Sequence, residues 1–279
     1  MVRQYRRDGL ILFCLLAFVY AYFYQYGSWN ANSRFALIFA IVREGRLTID
    51  SFHNRESTET GDKAYYNGHY YSDKAIGPAI VGAAFYAPMY WIKQTFNRIS
   101  ELKAKMILTF LVDGLPSAIA GSLIYILCLY LSKSRFRAYL VTLTITLGTM
   151  YLPYSVVFFS HQFSSSLIFS AFFVIFLLKE KLVKWKGWYS FLIGLFLGWA
   201  LISEFPTVAI IIPLLFYYFA IVWKNHPHDH LRLIVLPALG GFVPVLLQLL
   251  NNKLCFGNFF RSRIQVLTIP LLVQEWDKA

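Results

Sequence analysis

Long apolar blocks separated by short polar punctuation run through the chain, interrupted once by a long polar stretch at residues 27–104. Runs of about 18 apolar residues are long enough to cross the hydrocarbon core of a bilayer. That pattern predicts seven membrane spans, at residues 9–26, 106–131, 138–153, 163–178, 188–202, 206–223 and 231–250. Residues 33–46 (SRFALIFAIVREGR) repeat Phe35, Leu37, Ile38, Ile41 and Val42 at helical spacing but are too short to span. They predict an amphipathic helix lying on the outer surface, capped by Ser33 and ended by Gly45. Leu47-Thr-Ile-Asp50 follows as a short extended piece.

Residues 75–92 are apolar but carry Gly77, Pro78, Gly82 and Pro88. Charge decides their placement. Three later basic clusters are Lys133/Arg135/Arg137, Lys179/Lys181/Lys184/Lys186 and Lys224 with Arg232. If 75–92 does not span, all three face the same side as Arg3, Arg6 and Arg7, in keeping with the cytoplasmic bias of basic loops. The segment is therefore predicted to be re-entrant or interfacial, with the N-terminus cytoplasmic. Residues 154–162 read as an uncharged outer loop, and Ser203-Glu-Phe205 as a tight outer turn. Nothing in residues 251–279 closes a further helix, so a truncated form of a longer protein is expected.

Composition supports this reading. Hydrophobic residues make up 58% of the chain and charged ones 14%, against about 45–50% and 25% in soluble domains. The fold class expected is an all-α polytopic membrane protein, arranged as a single module over 1–279 with 27–104 as its first extracytoplasmic loop. A net charge of +12 can indicate nucleic-acid binding. Here much of the excess sits in short clusters beside apolar runs, as for loops facing an anionic leaflet, so no nucleic-acid partner is expected. Cys14, Cys128 and Cys255 form no metal or disulfide pattern and read as packing residues. There is no nucleotide-binding loop or serine-centred elbow, and no half-to-half repeat that would mark a transporter.

Candidate chemistry concentrates in the polar stretch. It holds seven of the fourteen carboxylates, with Arg34, Arg43, Arg46, Arg55, Lys63 and Lys74 interleaved. Asp50, Asp62 and Asp73 are the candidates for a general base, which must reach an acceptor proton at hydrogen-bond distance. Arg34, Lys63 and Lys74 are suited to hold a phosphate. His69 and Tyr71 can stack on a sugar face or bond its hydroxyls, while Tyr65, Tyr66 and Tyr70 suit an interfacial belt. His161, beside Gln162, and Glu204 are polar groups at the outer ends of apolar segments and join the binding candidates. Asp113, inside a span, is a candidate because burying a charge is costly. His226, His228 and His230 with Asp229 read as a solvated loop rather than a zinc site. The sequence requires no metal.

The order of motifs carries a resemblance. It runs through a basic N-terminus, one span, Asn32-Ser-Arg-Phe-Ala-Leu, Gly45-x-Leu-x-Ile-Asp50 and Gly68-His-Tyr-Tyr-Ser-Asp-Lys-Ala. Then come Leu147-Gly-Thr-Met-Tyr-Leu-Pro-Tyr154, Phe159-Ser-His161, Ser203-Glu-Phe-Pro206 and Asn251-x(4)-Phe-Gly257. This resembles the GT-C superfamily of membrane glycosyltransferases, in particular bacterial proteins similar to the protein mannosyltransferase and aminoarabinose transferase branch. The resemblance implies a GT-C-like helix bundle in a bacterial inner membrane and a polyprenyl-phosphate-linked sugar as donor. It also implies inverting transfer to an acceptor on the extracytoplasmic side, with a carboxylate of the first outer loop as base. Some members use a divalent metal. Where the better-known branches place an acidic residue directly after the first span, this chain has Asn30-Ala-Asn32-Ser-Arg34, and in the second outer loop it has His161. The base is then expected at Asp50, Asp62 or Asp73. The alternative is a non-catalytic lipid-handling or scaffold protein that keeps the fold without the base.

Overall fold

A computed structural model describes residues 2–96, 99–225 and 229–260. The regular structure of the described chain is helical apart from one two-stranded hairpin. The helices are α1 (Val2–Tyr22), α2 (Trp29–Glu44), α3 (Gly77–Phe96), α4 (Glu101–Thr109), α5 (Leu115–Ser132) and α6 (Arg135–Gly148). They continue as α7 (Tyr151–Ser155), α8 (Ser160–Lys179), α9 (Gly187–Ser203), α10 (Val208–Asn225) and α11 (His230–Phe256). Strands β1 (Lys63–Tyr66) and β2 (His69–Ser72) form the hairpin. The described chain packs as two compact units, one from residues 2–25 with Thr109–Val245, the other from Tyr26–Leu108 with residues 246–260. The continuous part of the second unit nearly coincides with the polar stretch of the sequence.

Among the described residues, four helices are long and apolar enough to cross a membrane: Glu101–Ser132, Ser160–Lys179, Phe205–Asn225 and Leu231–Phe256. They indicate a membrane protein. The α9 helix is apolar but spans 17 residues. The predicted span at 138–153 is divided: α6 has 14 residues, rising about 21 Å, and a break separates it from α7.

The first unit is built on apolar helix packing. In one core, Leu12, Leu16 and Tyr20 of α1 meet Ala118, Tyr125 and Leu129 of α5. In another, Ala171, Ile175 and Leu178 of α8 meet Ile193 and Leu197 of α9, Tyr218 of α10 and Leu233 of α11. At one end of α1 the buried Asp8 receives Arg135 Nη2 at 2.7 Å and the Tyr125 hydroxyl at 3.1 Å. A π-helical turn, Phe110–Gly114, joins α4 to α5 and holds Asp113 fully buried.

The second unit differs from expectation at its centre. The α2 helix begins four residues before Ser33, and its cap is Ser28, whose Oγ accepts from Ala31 N. Ser33 is instead buried and donates to Ser72 Oγ at 2.7 Å. Every residue from Ser33 to Ala40 is buried, so α2 is a core helix rather than one lying on a surface. The reason is packing on several sides at once, by α3 and by β2. Arg43 secures its end, bonding Tyr86 Oη of α3 at 2.6 Å and Glu101 of α4 at 2.7 Å, over the Phe39 ring. Of residues 75–92, all from Gly77 onward fall in α3, one continuous helix that carries Pro88 without breaking and makes no re-entrant turn.

The hairpin was not among the predicted elements, although Asn67-Gly68 is the strongest short hairpin signal. Both turn residues have positive φ, 49° and 86°, the type I′ geometry that matches strand twist. Lys63 pairs with Ser72, Ala64 with Tyr71, Tyr65 with Tyr70 and Tyr66 with His69. Gly68→Ala places a Cβ at left-handed φ. It is expected to cost about 1 kcal/mol, read as an about fivefold loss of hydrogen-exchange protection at the hairpin amides.

Candidate functional site

The hairpin and α2 gather the polar candidates of the second unit. Asp62 precedes β1, and Asp73 and Lys74 follow β2, so antiparallel pairing of Lys63 with Ser72 sets these three side by side. Lys74 Nζ lies 2.8 Å from Asp62 Oδ2 and 3.2 Å from Asp73 Oδ2. Asp73 Oδ1 is buried and has no hydrogen-bond partner among the described residues. Arg34, on the buried face of α2, donates to Asn30 Oδ1 at 2.8 Å, and its charge acts on Asp73. Burial raises the Asp73 carboxyl above the ordinary aspartate value, the Lys74 ammonium pulls it back only in part, and the Asp62 charge adds to the rise. Two carboxylates, one ammonium and one guanidinium thus act on one another in a partly desolvated place.

The other candidates of this unit form separate pairs. Asp50 Oδ1 accepts from Tyr70 N at 2.7 Å, and Oδ2 lies 2.8 Å from His69 Nδ1. Burial pushes the Asp50 carboxyl up, but the Tyr70 N–H, His69 and Thr48 outweigh it and hold it below its ordinary value. Asp50 therefore pins the hairpin to the preceding segment, where Ile49 N also donates to Tyr70 O at 2.7 Å. Lys63 Nζ donates to His53 Nδ1 at 2.8 Å and lies over the Tyr70 ring. Burial, then the Lys63 charge, lowers the His53 pKa. Tyr71 is buried in a small apolar cluster with Cys255 and Phe256, its ring 5.2 Å from that of Phe256.

His161 and Glu204 belong to the first unit and do meet. His161 lies in the first turn of α8 rather than in an outer loop, because α7 and the short segment after it take up most of residues 154–162. Its Nδ1 is 3.1 Å from Glu204 Oε2, which also accepts from Ser160 Oγ. Glu204 ends α9, its N–H bonded to Ala200 O. Beside this pair is a cavity of about 880 Å³ lined by His161, Gln162, Tyr154, Phe169 and Tyr217 among others. Its volume is in the upper part of the range of small-molecule sites, and its wall is chiefly apolar.

From the sequence, Asn30, Ser72 and His53 received no site role, and Ser33 only that of a helix cap. The Asn30–Arg34 bond is an i, i+4 helix pair and was legible. The Ser33–Ser72 bond joins residues 39 apart and had no local signal. Among the described residues no group of three or more His, Cys, Asp or Glu side chains is placed to hold a metal. Between Asp62 and Asp73 the cation is Lys74 Nζ, so this donor set does not fit a divalent ion. His226 and His228, and the reading of the chain after residue 260, lie outside the described residues. No protein-family model matches the chain, and no curated protein or solved structure matches it.

Proposed function

We propose that this protein is a membrane glycosyltransferase of GT-C type that moves a sugar from a polyprenyl phosphate to an acceptor hydroxyl or amine on the extracytoplasmic side. The proposal includes the seven-span arrangement, a cytoplasmic N-terminus and a bacterial inner membrane. The observation that carries it is the convergence of Asp62, Asp73, Lys74 and Arg34 in the polar unit of an otherwise apolar chain.

In the reaction proposed, the Asp73 carboxylate takes the acceptor proton. The acceptor atom attacks the anomeric carbon from the face opposite the phosphate, forming the new glycosidic bond with inversion. The bond from that carbon to the phosphate oxygen breaks, and its electron pair leaves on the polyprenyl phosphate. Lys74 stabilises the charge gathering on that phosphate. Arg34, being buried, acts by keeping Asp73 ionisable. Asp73 is preferred to Asp50 as base because a base works best with a pKa lifted toward the working pH, and of these two Asp73 is raised and Asp50 lowered. Its orphaned Oδ1 is also an acceptor that a substrate proton would satisfy. Separately, the apolar cavity of the first unit is suited to an isoprenoid or acyl chain.

The test is release of polyprenyl phosphate from a polyprenyl-phosphate sugar by the protein in proteoliposomes, with a membrane extract supplying the acceptor that takes the sugar. Asp73→Asn is expected to lower the rate about 10²–10⁴-fold, and Asp50→Asn to leave most of it. The wild-type rate should fall as pH drops through a value above 3.8, the ordinary aspartate pKa. Stability moves the other way: the folded chain holds the Asp73 proton more readily than the unfolded chain, so this residue's contribution grows as pH falls through that same window. An acid limb at the ordinary carboxylate value, or one unmoved by Asp73→Asn, would reject Asp73 as the base. A wild-type protein that binds the lipid but never releases polyprenyl phosphate would leave the scaffold alternative standing.

A further inference from the structure

A second polar feature lies far along the chain from the carboxylate cluster, at the turn between α8 and α9. The α8 helix ends in a two-bond turn: Lys181 N donates to Leu178 O at 3.2 Å and Leu182 N to Leu177 O at 3.0 Å. This is the Schellman arrangement, whose left-handed position ordinarily takes glycine. Here Lys181 occupies it, at φ 55°. A lysine at that φ carries a steric cost that the turn itself does not require.

The turn borders a cavity of about 420 Å³. Lys181, Lys184 and Asn225 supply its polar lining, and Leu178, Leu182 and Trp185 an apolar wall. Trp185 is held against the core, its ring 6.2 Å from that of Tyr218. Lys179, Lys186 and Lys224 add cations within the same segments. The one carboxylate between residues 178 and 187, Glu180, accepts from the Tyr130 hydroxyl at 2.9 Å and lies 3.5 Å from Lys179 Nζ. Its charge is thus already engaged.

We propose that this cavity binds the phosphate headgroup of an anionic membrane lipid. Two ammonium groups and an amide match a phosphate diester. The leucines and the tryptophan match the glycerol and the first methylenes of the acyl chains, as in basic pockets at membrane surfaces. A free phosphate ion would leave the apolar wall unused, which is why the lipid is the occupant. The proposal rests on the membrane character of the chain and is independent of the transferase reading.

The test is native mass spectrometry of the whole purified protein in detergent, with phosphatidylglycerol and phosphatidylcholine added in equal amounts. Wild type should retain one phosphatidylglycerol in clear preference to phosphatidylcholine. Lys181→Gly and Lys184→Gln should each weaken that preference about fivefold. Lys181→Gly is the decisive variant, because glycine suits the turn and the fold should hold, as a melting curve checks. Equal retention of the two lipids, or a Lys181→Gly protein that binds phosphatidylglycerol like wild type, would overturn the site. Displacement of the lipid by millimolar inorganic phosphate would overturn the lipid as occupant and assign the cavity to a free anion.

Discussion

Lys74→Ala is expected to lower the proposed sugar transfer at least about 10²–10³-fold, the usual cost of removing a group that stabilises developing charge. The geometry makes the effect twofold. Lys74 Nζ bridges Asp62 and Asp73 at 2.8 and 3.2 Å, so its loss leaves two carboxylates beside one another without the cation between them. Like charges at close range raise one of the two pKa values, and Asp73 is already raised by burial. The proposed base would then spend more of its time protonated, while the departing phosphate loses its cation. A purely structural lysine gives a different result. The double variant Asp62→Asn/Lys74→Ala removes the repulsion along with the ammonium and should recover stability lost in Lys74→Ala. If it also recovered transfer, Lys74 would have no part in the chemistry. A Lys74→Ala protein with an unchanged rate and an unchanged pH profile would remove the cluster as the reacting site.

Gly194→Ala is expected to destabilise the first unit by about 3 kcal/mol or more, at or beyond the upper end of ordinary overpacking. A Cβ built at Gly194 of α9 stands 1.8 Å from the carbonyl oxygen of Pro237 in α11, and one at Gly240 stands 2.1 Å from Phe191 O. In both cases the obstacle is backbone, which no rotamer change removes. Gly194 and Gly198 are four residues apart, the small-xxx-small spacing that lets membrane helices approach closely. Association there depends on van der Waals contact, because lipid supplies little hydrophobic drive between helices. The two helices must therefore separate or shift, losing contact along the seam. Reversible unfolding in mixed micelles measures the effect. Gly9→Ala is the control: its Cβ meets only Ile126 side-chain atoms at 3.7 Å, so it should be neutral or slightly stabilising. Equal effects of the two alanines would mean that the α9–α11 contact is looser than the structure has it.

What could be read from the chain was local. Helices at 160–179, 187–203 and 208–225 follow directly from apolar blocks bounded by lysines, a glutamate turn and Pro206. The end of α2 at Gly45 was also legible, because a glycine at left-handed φ stops a helix whatever surrounds it. The polar stretch stood out as a separate region by composition alone, and residues 26–108 do pack within one compact unit. The burial of α2 was not legible. Its apolar residues satisfy a surface helix as well as a core helix, and only the surrounding α3 and hairpin decide between them.

The candidate site divides in the same way. The sequence by itself determined the residue types: carboxylates beside lysines, in a chain too apolar for a soluble domain, with Arg34 spaced one helical turn from Asn30. Tertiary structure decided which of them act together. Asp62 and Lys74 are twelve positions apart, yet their side chains meet at 2.8 Å because a type I′ turn folds β2 back on β1. Asp50, equally promising as a carboxylate, spends both oxygens on His69 and the Tyr70 amide. Tyr71 goes to an apolar cluster because strand alternation turns it to the face shared with Ala64 and Tyr66. Residue type is a property of the chain. Proximity, desolvation and the pKa shifts they cause belong to the fold, since charges interact through distances and surroundings that chain order does not specify.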